Sequence, residues 1–279
     1  MHKLKLNSLF PIPPELDFYQ SYKSAACTKA GNAYSENIKR LYVMAMNPGW
    51  TFYEGELWGM CLSRAMHKLG INNRDDPAVT KLTNDYFVKY DTRRIEPDAL
   101  KQIFHEAIRN AETVFSYSGR DTSHEGLHGL LKVLVIQAWM AFEVLCHDLF
   151  RDIEKERPWL TRHLSKTKRK ELGFRSRHKI RQSYRLVFTR GAAIDSILND
   201  RSIDALAVMR NVLVHSAGKT DDTFKKESRY IRKLRSFRAL PVGSQVKLDG
   251  LFVRSLVAPT VAVADRLVVA TNRWLLKNP

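Results

Sequence analysis

One apolar stripe constrains this chain more than any other feature. Leu127, Leu131, Leu134, Ala138, Phe142, Leu145, Leu149 and Ile153 recur three or four positions apart, the spacing of one face of an α-helix. A strand alternates with period two and would scatter these side chains to both faces. The segment Leu127–Ile153 therefore predicts a helix of about seven turns, and a helix with so continuous a stripe needs apolar partners along its length.

Those partners carry the same period. Pro97 is placed as a first helical residue, and Leu100, Ile103, Phe104, Ala107, Ile108, Ala111, Val114 and Phe115 follow it at helical spacing. Glu15 to Met46 reads as helical, interrupted around Gly31 and ended by Pro48-Gly49. Leu57 to Leu69 reads as a short helix closed by Gly70, followed by a polar loop over residues 71–80. Ile180, Tyr184, Val187 and Phe188 mark another helix, and Ile194, Ile197 and Leu198 extend the pattern past Gly191. Ser202 is placed as the N-cap of the next, with Asp204 in its first turn. Pro241 to Gly250 reads as a turn, a brief extended piece with Val246 and Leu248 alternating, and a second turn. Leu251 to Leu276 is a last helix, bent at Pro259. Helical periods far outweigh strand signal, so the fold class is all-α. The polar run Gly119 to Gly126 reads as a boundary, giving a mostly helical N-terminal region, 1–118, and a helical domain, 119–279.

Charge narrows the partners. The chain has 46 Lys+Arg against 29 Asp+Glu, a net of +17, and the surplus is concentrated. Residues 151–190 hold 14 Lys+Arg and 4 Asp+Glu, and residues 225–238 hold seven Lys+Arg and Glu227 alone. Two separate basic clusters fit a polyanion, because each neutralised phosphate releases condensed counterions. Lys166, Lys168, Arg169, Lys170, Arg175 and Arg177 in the first cluster, and Lys225 and Lys226 in the second, are the candidate RNA contacts. Cys27, Cys61 and Cys146 form no CxxC pair, so the sequence predicts neither a disulfide framework nor a zinc site. The apolar run near the N-terminus stops at Pro11, Pro13 and Pro14, and Asp265, Arg266 and Arg273 break the apolar stretch near the C-terminus. A cytoplasmic protein without membrane contact is the expectation.

The segment that carries chemistry is Arg210-Asn211-Val212-Leu213-Val214-His215, followed by Ser216-Ala217-Gly218. Arginine binds phosphate through a planar fork of donors, and histidine moves protons near neutral pH. With 25 arginines and nine histidines in the chain, on the order of one such spacing arises by chance, so the surroundings decide. Arg210 and His215 lie about 140° apart around an ideal helix, whereas Asn211 and His215 share a face. For the pair to act together, His215 has to sit in the last, frayed turn or the two have to straddle a groove. Gly218 fits as the helix stop. Glu143 lies just beside the apolar stripe, where a carboxylate either faces a groove or pairs with a surface lysine or arginine.

These residues resemble the R-x4-6-H signature of the HEPN superfamily, all-helical domains of which many are metal-independent endoribonucleases. The polar residue after Arg210, the apolar residues before His215, and the small residue and glycine after it fit the pattern. So does the order of a long helix with an aromatic and acidic centre (Trp139 to Glu143), the motif helix, a turn-containing return and a final helix. The resemblance covers about residues 125–276.

It implies a helical bundle that dimerises so that two motifs line one cleft, with no metal or other cofactor. In that scheme His215 is general base in one subunit and general acid in the other. Arg210 holds the phosphate, Asn211 orients the pair or touches phosphate, and Glu143 orients Arg210. The products are a 2′,3′-cyclic phosphate and a 5′-hydroxyl. The family also implies a toxin or phage-defence role, restrained by an antitoxin or other regulatory protein. The alternatives are a HEPN-like protein that binds RNA or a nucleotide without cutting it, a DNA-binding protein, and an all-α interaction module.

Overall fold

The computed structural model describes residues 22–89, 121–162, 164–189 and 191–278. Among them every regular element is a helix, and the one β-type pairing is an isolated bridge between Lys219 and Gln245. The fold class is all-α, as the periodicity predicts. The described helices are α1 (Ala25–Leu69), α2 (Pro77–Lys89), α3 (Asp121–Glu156), α4 (Trp159–Arg162), α5 (Lys166–Glu171), α6 (Arg177–Val187), α7 (Ala192–Leu198), α8 (Asp204–His215), α9 (Asp222–Glu227), α10 (Arg235–Arg238) and α11 (Gly250–Lys277). Short 3-10 turns stand at Arg201–Ile203 and Arg232–Leu234. The helix expected over 97–115 lies outside the described residues.

Contacts divide the chain into two compact units. Of the described residues, 44–89 and 121–126 belong to one and 22–43 and 127–278 to the other. In the first, Cys61 and Ala65 on α1 and Val79 and Thr83 on α2 are buried, each pair one turn apart. The Arg64 guanidinium lies 5.1 Å from the centroid of the Tyr86 ring. Asp76 caps α2 by accepting from the Ala78 N–H at 2.8 Å, which puts Pro77 at the first helical position.

Three boundaries differ from expectation. α1 runs unbroken through Gly31, Pro48 and Gly49; an interior proline costs one hydrogen bond, about 3 kcal/mol, but does not oblige the chain to turn. α2 begins inside the segment expected as loop, at Pro77. α3 begins at Asp121, so 121–126 is helical, and the division between the two units falls at the end of that run, between Gly126 and Leu127. Polar residues without proline do not stop a helix, and Gly126 costs only about 1 kcal/mol.

The second unit is built on α3. Leu131, Leu134, Val135, Ala138, Trp139, Phe142, Leu145, Leu149 and Ile153 are buried. By length and composition α3 is apolar enough to cross a membrane over 128–156, and half of that window is buried inside the protein, as the central helix of a core requires. Tyr184 on α6 donates its hydroxyl to the Cys146 carbonyl at 3.0 Å. Its ring stacks on Phe188 at 5.2 Å, and Phe188 meets Trp274 of α11 edge-on at 5.0 Å. Fully burying aromatics of this size contributes roughly 1.5–3 kcal/mol each. α11 continues through Pro259 and buries Val261, Ala264, Leu267, Val268, Thr271 and Leu275 against α7, α8 and the turn at Arg201–Ile203.

The first part of α1 belongs to this unit. Ala26, Cys27, Ala30, Tyr34 and Ile38 are buried, and burial pushes the Cys27 thiol up to about 11. α1 has no acidic residue in its first turn. Glu156, at the end of α3, supplies one by accepting from the Ala26 N–H at 2.6 Å and from the Ser24 hydroxyl. Asn272 of α11 accepts from the Ser24 N–H at 3.0 Å.

Candidate active site

α8 presents the candidate residues because its other faces are committed. Ala205, Leu206, Val208, Met209, Val212 and Leu213 are buried, which leaves Arg210, Asn211, Val214 and His215 along the remaining strip. Its entrance is held by charge. Asp200 accepts from the Ser202 N–H at 2.9 Å and caps the preceding 3-10 turn. Ser202, expected as the cap, is instead the capped residue. Arg177 pairs with Asp204 and donates to the Asp200 carbonyl at 3.0 Å.

The exit from α8 is equally specified. The N–H groups of Ser216 and Gly218 both reach the Val212 carbonyl, at 3.2 and 3.0 Å. Ala217 and Gly218 both have positive φ, 50° and 76°. The positive φ favours glycine at 218, and a β-carbon there would stand 2.8 Å from Gln245 Nε2, displacing the end of that side chain. The extended piece after it is pinned by Thr220 N–H to the Ser244 carbonyl, 2.9 Å, and Val246 N–H to the Gly218 carbonyl, 2.8 Å. Ser216 Oγ donates to Asp221, and this bond, with the Phe224 N–H, holds the Asp221 carboxyl below its usual range.

His215 is the last residue of α8. Arg210 Nη1 lies 3.2 Å from Asn211 Oδ1, to which it donates, and 3.4 Å from His215 Nε2. The guanidinium thus turns along the helix and bridges the two. Arg210 Nε is buried and has no hydrogen-bond partner.

Glu143 reaches the same place from α3. Trp139, 2% exposed, donates its indole N–H to Glu143 Oε1 at 2.7 Å. Burial pushes the Glu143 carboxyl above its usual range, while the Trp139 bond and the nearby Arg210 charge pull it back. Glu143 therefore sits in the field of Arg210 without an ion pair between them. Comparison with known proteins finds no matching family model, curated protein or solved structure.

The expected RNA contacts divide in two. Lys166, Lys168 and Lys170 are exposed on α5, a helix with no buried residue, and Arg175 and Lys226 are also exposed. The other three are tied into the fold. Arg169 donates to the Thr161 carbonyl at 2.9 Å, Arg177 is paired with Asp204, and Lys225 Nζ donates to the carbonyls of Arg238 and Leu240.

Two features of the site add to the motif. The first is the Trp139–Glu143 bond, whose signal is the i, i+4 relation of the two residues. The second is Lys132, whose Nζ lies 3.7 Å from where a Gly218 β-carbon would stand. Lys132, Trp139 and Glu143 recur at helical spacing on α3, with Glu143 in the field of Arg210 and Lys132 near Gly218.

Proposed function

We propose that this chain is a metal-independent endoribonuclease of HEPN type, in which Arg210 and His215 act together on one phosphodiester. The observation that carries this reading is the convergence of Arg210 Nη1 and His215 Nε2 to 3.4 Å, with a buried Arg210 donor left unpaired. A guanidinium so placed has donors to spare for a phosphate oxygen, in a half-buried setting where a charge-assisted bond is strong.

The chemistry follows from the residues. His215 Nε2 takes the proton of the ribose 2′-hydroxyl, whose oxygen attacks the adjacent phosphorus. Arg210 stabilises the charge that grows on the non-bridging oxygens. The 5′-oxygen leaves as a hydroxyl after protonation by the partner subunit's His215, because one imidazole does not easily serve both faces in a single step. Asn211 fixes the guanidinium through its side-chain oxygen, and Glu143 tunes the local charge. The homodimer this requires has a suitable surface. Val133, Met140 and Val144 are exposed at helical spacing on α3, and Val214 is exposed beside His215. A toxin or phage-defence role, with a restraining partner protein, belongs to this reading.

The test is cleavage of a labelled single-stranded RNA and a tRNA in EDTA by the wild type, Arg210→Ala and His215→Ala. Cleavage by the wild type alone, leaving cyclic-phosphate ends, supports the reading. Equal binding of intact RNA by all three proteins replaces it with a non-catalytic RNA-binding protein.

A further inference from the structure

Tyr230 is 81% exposed, in a segment that is otherwise firmly held. The segment leaves α9 through a turn in which the Ser228 N–H bonds the Phe224 carbonyl at 2.9 Å and the Ile231 N–H bonds the Ser228 carbonyl at 3.0 Å. Ser228 and Leu234 are buried on either side. Lys225 ties α9 to the carbonyls of Arg238 and Leu240, and Arg238 in turn donates to the Arg229 carbonyl. The tyrosine is therefore presented by a fixed loop.

The ring has charge on one face. The Arg229 guanidinium carbon lies 5.4 Å from the Tyr230 ring centroid, within cation–π range. Lys226, Arg232 and Arg235 are exposed in the same segment, and Glu227 is its one acid. Lys233, by contrast, is used internally, donating to the Ser255 carbonyl at 2.7 Å. A broad aromatic surface left in water amid cations suits a ligand that offers both a flat apolar face and phosphate. An unpaired nucleotide is such a ligand, whereas a base inside a duplex already has both faces covered.

We infer that Tyr230 is a stacking platform for an unpaired base of single-stranded RNA, backed by Arg229 and flanked by phosphate contacts from Lys226, Arg232 and Arg235. The choice of RNA as ligand rests on the function proposed above. The segment follows α9, whose capping Asp221 is bonded to Ser216 at the end of the motif helix, so a strand held there is held by the same unit as His215. The platform selects for unpaired substrate without reading its sequence, since every base has a stackable face.

The test is fluorescence anisotropy on the full-length protein carrying His215→Ala, with a labelled single-stranded RNA and a blunt RNA duplex of equal length. In this background Tyr230→Ala is expected to weaken single-strand binding by about tenfold or more, leave duplex binding within about twofold, and leave the salt dependence unchanged. Tyr230→Phe is expected to bind as the parent does, and Arg232→Ala to make the salt dependence shallower. Unchanged single-strand affinity in Tyr230→Ala, an equal loss for duplex and single strand, or no single-strand binding by the parent each overturns the platform. Cleavage is scored separately in the protein with His215 intact. Failure to cut RNA that is still held through Tyr230 sinks the nuclease reading alone, and cleavage indifferent to Tyr230 sinks the platform alone.

Discussion

Arg210 Nη1 and His215 Nε2 meet at 3.4 Å, although the two residues leave the helix about 140° apart. The reach comes from the arginine side chain and from the position of His215 at the helix end. Substitutions here should separate charge from geometry. Arg210→Lys keeps the charge but loses the fork that bridges Asn211 and His215. Initial cleavage rates are expected to fall by about 100-fold or more in His215→Ala and Arg210→Ala, and by at least about tenfold in Arg210→Lys. Far-ultraviolet circular dichroism should be unchanged in all three.

Glu143 gives a pH signature of stability. Its folded-state pKa is raised by burial, more than Trp139 and Arg210 lower it. The folded protein therefore holds this proton to higher pH than the unfolded chain. The site's contribution is full below the usual carboxylate range and is lost as pH rises through the folded value. Glu143→Gln keeps an acceptor for the Trp139 N–H and removes the titration. Urea melts of the two proteins should agree at low pH, with the variant gaining relative to wild type as pH rises. A constant difference across the range would reject this account.

Asp200 should behave in the opposite sense. Burial raises its carboxyl, but the Ser202 N–H and Arg266 outweigh that and hold it at about 2. A lowered folded value stabilises the protein above the ordinary carboxyl range, and that contribution is lost as pH falls toward 2. Asp200→Asn is expected to cost about 1 kcal/mol at neutral pH, the partly exposed carboxyl being screened by solvent, and progressively less in acid, by denaturant unfolding at both conditions.

The basic residues should split by role. Arg177 is paired with Asp204, and burial together with Arg181 lowers its pKa to about 10. Arg177→Met is expected to destabilise the protein by about 3 kcal/mol, because it strands the Asp204 charge. Replacing Lys166, Lys168 and Lys170 by alanine should leave the melting temperature within about 2 °C, since α5 buries nothing. The same triple variant should make the dependence of RNA affinity on salt shallower by up to about 2 in log–log slope.

Much of the second unit was legible in the sequence, because its signals are periodic. The stripe from Leu127 to Ile153, the faces of α6 and α8, and the inner side of α11 each repeat often enough to outvote single residues. The boundaries were less legible for a physical reason. Pro48, Gly31 and the polar run before Gly126 are local penalties of one to a few kcal/mol, and a long helix absorbs them. At the site, spacing located Arg210, Asn211, His215 and Glu143, but not the way a flexible guanidinium closes 140° of helix. Nor does spacing tell a basic residue on the surface from Arg177 or Lys225, whose charges bind their own chain. That depends on which carbonyls and carboxylates the fold brings near.

The bonds at the start of α1 set an order of events during synthesis. Ser24 and Ala26 take their partners from Glu156 and Asn272, which the ribosome makes far later. Residues 22–43 therefore leave the exit tunnel with their half of the packing still unwritten. The unit that holds Arg210 and His215 closes only when α11 has emerged. Until then the growing polypeptide carries the motif without the walls around it.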